Sequence, residues 1–253
     1  MGTWISHLRI AENLLQIIPN LDETSFTFGN LAPDSGLPNE DWTSFDPPKA
    51  ISHFMPEDGT EKEIRDLEFY RNHLLRFDKA TNPTRFSFLM GYFFHLVSDK
   101  LWTIRVDKAF HVCHPDLFAS HSHMEAIDII KDDMYALDQR YVRDNKQSLF
   151  WRVFLTSPIP TADLDFVRQE AFEHQVNYIR EFYAHPSTDW VLDRPFPYIN
   201  EVTMTRYVDE TTASLAKIAR LLAAMPPPEA LNSAITLLTS EETSIFSAPI
   251  ADI

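Results

Sequence analysis

The chain has 253 residues, 44% of them hydrophobic and 23% charged, which is enough to bury one large core and excludes disorder as its general state. Its formal charge of -15 repels duplex nucleic acid and anionic membrane surfaces, so any phosphate chemistry needs a local source of positive charge. The five glycines, at positions 2, 29, 36, 59 and 91, give no dinucleotide, phosphate-loop or nucleophile-elbow spacing, and the single cysteine, Cys113, excludes a disulfide framework or a Cys-rich zinc site and fits a reducing, cytoplasmic setting.

The first residues carry no basic, apolar leader and match an acylation pattern only loosely, so they read as the start of a helix. That helix is expected over 6–18 with Ser6 as its cap, because Trp4, Leu8, Ala11, Leu15 and Ile18 form one apolar stripe. From 19 to 60 the prolines at 33, 38, 47, 48 and 56 predict a long loop, kept ordered by Phe26, Phe28, Trp42, Phe45, Ile51 and Phe54. Helical period returns over 61–78, and Asn82-Pro83 opens the next helix, about 83–105, in cap and first-turn positions. Between Phe86 and Val97 that helix is apolar almost all round, which predicts a helix buried at the centre of a bundle. Further helices are expected over 122–144, 161–184 and 201–224, and the run Phe150 to Leu155 fits strand or helix equally. Pro226-Pro227-Pro228 ends the bundle, so residues 1–238 form one helical domain and 239–253 a loosely ordered C-terminal arm. No stretch is long and apolar enough to span a membrane.

Ten histidines are the main supply of metal ligands or bases. His95 and Asp99 stand at i and i+4 on the most apolar helix, so they share a face and can chelate one ion. An unpaired carboxylate there costs several kcal/mol, roughly, so Asp99 requires a compensating partner: an ion, a salt bridge or the imidazole itself. His7 beside the stripe of the first helix, Asp34 in an Ala-Pro-Asp turn, and His53 in Ser52-His53-Phe54 are unremarkable singly.

In order, however, Trp4-Ile5-Ser6-His7-Leu8, Gly29-Asn30-Leu31-Ala32-Pro33-Asp34, Ser52-His53-Phe54 and Gly91 to Asp99 resemble the zinc-dependent phospholipase C family, whose helical fold is shared with the single-strand-specific zinc nucleases. The resemblance covers the first hundred residues and implies an all-α, multi-helix bundle of that type. It implies one zinc held by Asp34, His53, His95 and Asp99, and a second reached by Asp99 and held by His7 and the amino end of an N-terminal Trp; here Trp4 lies three residues inside the chain. A third zinc would need downstream ligands, for which His121 with Glu125, Glu170 with His174, His111, His114, His123 and Asp133 are all available.

The function expected from this set is a metal-dependent hydrolase of phosphoester bonds, phospholipase C-like, using one to three zinc ions to activate water. Its substrate would be a small-molecule or lipid-headgroup phosphoester. Asp133, at the edge of the apolar stripe of its helix, is the candidate catalytic carboxylate, with Glu57 as another, and aromatics of the 26–54 loop would line the leaving-group pocket. Two alternatives stand beside it: a non-catalytic helical metal-binding protein with a reduced site, and a single-strand nuclease, for which the chain offers aromatics but no Lys/Arg cluster.

Overall fold

At the centre of the computed structural model runs a helix whose residues from Ser87 to Asp99 are buried without a break. The structure describes residues 2–41, 43–56, 63–187 and 190–246. Within them the helices are α1 (Trp4–Ile17), α2 (Glu23–Gly29), α3 (Lys49–Ser52), α4 (Asp66–His73) and the central α5 (Pro83–Trp102). They continue as α6 (Lys108–Cys113), α7 (Pro115–Ser120), α8 (His123–Asp144), α9 (Gln169–Ala184), α10 (Glu201–Ala224) and α11 (Ser240–Ser244). The only sheet among the described residues is a two-residue hairpin, Leu37–Pro38 against Phe45–Asp46, so the fold is all-α. None of these helices is long and apolar enough to cross a membrane.

Local chemistry sets the boundaries. Asn82 caps α5 by accepting the Arg85 N–H at 2.9 Å, with Pro83 in the first turn, where its missing N–H costs nothing. Ser122 and Glu125 close a reciprocal capping box on α8. Helix α1 begins earlier than the sequence suggests: Thr3, not Ser6, is its cap and accepts the Ser6 N–H at 3.3 Å. Thr3 wins because its hydroxyl has a second role, donating to Asp138 Oδ1 on α8 at 3.0 Å.

The described residues of the segment 19–60 pack down as expected, but two short helices break the loop. Phe26 and Phe28 are fully buried, and α2 lies against α5 so closely that backbone meets backbone. A Cβ on Gly29 would stand 2.1 Å from the Phe88 carbonyl oxygen, and one on Gly91 would stand 2.4 Å from that of Phe26. Among the described residues of the helix expected over 61–78, only α4 is helical, and α9 starts at Gln169 rather than 161. The run at 150–154 is one wide helical turn, not a strand. A single apolar core joins α1, α2, α5, α8, α9 and α10. Part of the C-terminal arm is held down: Thr239 caps α11, Lys217 pairs with Glu242 at 3.2 Å, and buried Arg105 reaches the Ile245 carbonyl. Residues 247–253 of that arm, Trp42 and Glu57 lie outside the described residues.

Candidate metal centre

Five side chains from four parts of the chain converge beside the middle of α5. That helix presents His95 and Asp99 one turn apart, α1 brings His7, the turn after α2 brings Asp34, and the residue after α3 is His53. The three imidazoles are fully buried, Asp99 is 1% exposed and Asp34 is 16% exposed. All five residues proposed as ligands from the sequence are therefore brought together.

The distances have the scale of a coordination sphere. His53 Nε2 lies 3.3 Å from His95 Nε2, 3.4 Å from Asp99 Oδ2 and 3.5 Å from Asp34 Oδ1. His95 Nε2 lies 3.5 Å from Asp99 Oδ2 and 4.0 Å from Asp34 Oδ1. Four ligands at zinc bond lengths around a tetrahedron stand about 3.4 Å apart, so these separations suit one ion at the middle of the group. Asp99 turns its other oxygen away: Oδ1 lies 3.3 Å from His7 Nε2 and accepts the Gly2 N–H at 2.9 Å. Its carboxylate thus faces two positions. The Gly2 N–H, two residues before Trp4, thus stands beside His7 at the second of them.

Supporting contacts aim the ligands. His95 Nδ1–H donates to the Asn30 carbonyl at 2.7 Å, which leaves Nε2 to face the cluster. His53 Nδ1 lies 3.0 Å from Ser52 Oγ, and the Tyr92 hydroxyl fixes that turn by donating to the Ser52 carbonyl at 2.6 Å. His7 stacks on His95 with ring centres 3.9 Å apart. From α10 the Tyr207 hydroxyl donates to the Ser98 carbonyl at 2.9 Å and holds the last turn of the ligand segment.

Electrostatics point the same way. Both nitrogens of His7 and Oδ2 of Asp99 are buried with no hydrogen-bond partner among the described residues, which costs about 1–3 kcal/mol each in a site with nothing to bind. Burial, reinforced by His95, lowers His7 to about 4, so it is neutral and has a lone pair to give. Burial also pushes against ionised Asp99, but His95, His53 and His7 hold it well below the usual carboxylate range. Asp34 is likewise lowered against its burial, chiefly by Lys49 and His95. Burial pulls His95 down, and Asp99 and Asp34 together raise it. Two ionised carboxylates among imidazoles in an apolar core can hold a metal ion.

Comparison with protein-family models, with curated proteins and with solved structures finds no match. The site stands on its own geometry.

The remaining sequence candidates are elsewhere. Asp133 is buried in an ion pair with Arg194 at 2.6 Å and accepts the Tyr198 N–H at 2.8 Å, tying α8 to the irregular segment before α10; it does not reach the cluster. Glu125 is occupied in its capping box, and His121 Nδ1 is near Ser120 Oγ and the Leu117 carbonyl. His111 stacks on Phe118 and faces His123, on the α6–α8 corner. Among the described residues, no third ligand group forms.

Two residues of the cluster, Asp34 and His53, line a cleft of about 540 Å³ together with Gly2, so the cluster borders that cleft on one side. Its walls include Trp4, Phe45, Lys49, Lys131, Tyr135, Gln175 and Tyr178. Of the loop aromatics expected there, Phe45 takes part, whereas Phe26 and Phe28 belong to the core and Phe54 packs on Phe69 and Phe166. Lys131, Tyr135 and Gln175 carried no motif in the sequence. Their only signal was that Lys131, Tyr135 and Asp138 share one flank of α8 at i, i+4 and i+7.

Proposed function

We propose that the chain is a metal-dependent hydrolase of phosphoester bonds, with zinc as its ion. The observation that carries this reading is the opening of the His/Asp cluster into a cleft: a purely structural zinc site is sealed by its ligands, whereas a catalytic one keeps a face for water and substrate. Asp34, His53, His95 and Asp99 Oδ2 would hold one ion, and His7 with Asp99 Oδ1 offers a second position with only two side-chain donors. The chemistry that a divalent ion would supply there is a coordinated water of near-neutral pKa and polarisation of a phosphoryl oxygen.

The chain's own residues supply the rest. Asp34 is the only carboxylate among the described residues lining the cleft. Its Oδ1 takes the close contacts with His53, His95 and Lys49, so Oδ2 is the oxygen left to accept the proton of the attacking water. Water adds to phosphorus, the ester P–O bond breaks, and the alcohol leaves with a proton. Trp4 and Tyr178, with ring centres 5.9 Å apart, give the departing group an apolar wall.

A second reading, a metal site retained only for stability, is favoured by the four-donor set, which satisfies tetrahedral zinc without water. A nuclease reading is the weaker one: Lys49 and Lys131 are the cleft's only Lys or Arg side chains among the described residues, and they make no basic track. The deciding experiment is turnover of chromogenic phosphoesters by chelated protein before and after zinc is restored. The hydrolase reading expects activity to return with zinc and to be absent in His95→Ala; full activity of metal-free His95→Ala contradicts it.

A further inference from the structure

Besides the metal cluster, α8 and α9 bring to the cleft three polar heads that the fold leaves unused. Lys131 and Tyr135 stand one turn apart on α8, Gln175 comes from α9, and all three line the cleft. Gln175 is 7% exposed, yet its amide has no hydrogen-bond partner among the described residues. An amide so buried is normally satisfied, so one left open towards a cleft marks a place for a ligand's polar atoms. The ion-pair partner of Lys131 is Asp128, 3.8 Å away on its own helix and largely exposed, a contact that leaves the ammonium available. The Tyr135 hydroxyl also lacks a partner among the described residues; burial, with Asp138 and Asp34 adding to it, raises it to about 12, so it remains a donor. The wall thus offers hydrogen-bond donors of three kinds and no carboxylate.

Charge narrows the ligand. Asp34 and Asp99 neutralise one divalent ion, and Lys49 and Lys131 then give the cleft two positive charges in a chain whose net charge is -15. We propose that Lys131, Tyr135 and Gln175 form an oxyanion-binding wall that selects phosphate monoesters, with the flat or apolar part of the alcohol received by Trp4 and Tyr178. The monoester's phosphoryl group is a dianion and matches that charge. A diester carries one charge and would have to seat a second organic arm against the polar wall. This proposal rests on the reading of the cluster as a hydrolase centre.

Two measurements on the zinc-loaded full chain keep the two ideas separable. The first is calorimetric titration with inorganic phosphate for wild type, Lys131→Gln and Lys131→Arg, with zinc content checked in each. The second is turnover of p-nitrophenyl phosphate beside bis(p-nitrophenyl) phosphate. Phosphate affinity is expected to fall about tenfold or more in Lys131→Gln, the size of one lost charge-assisted hydrogen bond, and to be largely kept in Lys131→Arg. The monoester is expected to be the better substrate, and Lys131→Gln to raise its KM more than that of the diester. Unchanged phosphate affinity and an unchanged monoester-to-diester ratio in zinc-replete Lys131→Gln overturn the wall while leaving the hydrolase reading intact. Lys131-dependent phosphate binding with neither ester turned over supports the wall and removes the hydrolase reading instead.

Discussion

Asp138 shows how far behind the ion the site is built. It accepts the Thr3 hydroxyl at 3.0 Å, the Tyr183 hydroxyl at 2.7 Å and the Ile5 N–H, and so anchors the first turn of the helix that carries His7. Burial outweighs those donors and raises its carboxyl from 3.8 to about 7. The sign follows: between those values the folded chain binds a proton that the unfolded chain has released, so this contribution is full below pH 3.8 and is lost as pH rises through 7. In chelated protein, wild type should lose roughly 2–3 kcal/mol relative to Asp138→Asn between about pH 5 and pH 8. Urea unfolding at the two pH values checks this, and a difference that is flat or of opposite sign contradicts it. At this scale the sequence was most readable where burial and chemistry conflict: His95 and Asp99 stand out because nothing else polar interrupts their stretch of α5 apart from Ser98. Asp133 misled for a geometric reason. A helix stripe has two flanks, Asp133 lies on one and Lys131, Tyr135 and Asp138 lie on the other, and only packing against α9 and α1 decides which of them faces the cleft.

Among the elements, α2 and α5 form the hinge of the design, because the carbonyl of Asn30, which aims His95, follows α2 directly. Their contact depends on Gly29 and Gly91, where any Cβ would meet backbone rather than a side chain that can turn away. Gly91→Ala is expected to destabilise the fold by about 1–3 kcal/mol or more and to weaken zinc binding, since separating the helices moves Asn30 and Asp34 from His95. Chemical unfolding with parallel zinc titration tests both; a variant with wild-type stability and zinc affinity contradicts the argument. The cap exchange Asn82→Ala, remote from the site, should cost about 1 kcal/mol and leave zinc affinity unchanged. Long elements were legible because periodicity accumulates: α8 and α10 fall within a residue of the expected 122–144 and 201–224. The short α2 was not, since seven residues give no periodic signal and its burial comes from a helix some sixty positions later in the chain.

For the molecule as a whole, the metal centre ties together segments from α1, the turn after α2, the turn after α3 and α5, so an ion bound there should stabilise the entire fold. At a free zinc concentration 100 times the dissociation constant the gain is about 2.7 kcal/mol, and chelation should lower the thermal midpoint accordingly. The all-α class was readable from the sequence because it depends on local periodicity, whereas the ligand set was reached through the order of motifs that carries the resemblance. The cleft was not readable, because its walls come from α1, the hairpin, α3, α8 and α9, and no local pattern encodes their meeting.

The most direct test of the account is metal content by mass spectrometry on untagged protein, for wild type and for Asp99→Ala, before and after equilibration with zinc. The account predicts at least one firmly bound equivalent of a divalent transition metal in wild type, lost in Asp99→Ala, with helical circular dichroism kept in both. Wild type that stays metal-free after equilibration, with a thermal midpoint indifferent to zinc and chelator, would contradict it and leave His7, His95 and Asp99 as a buried ionic network.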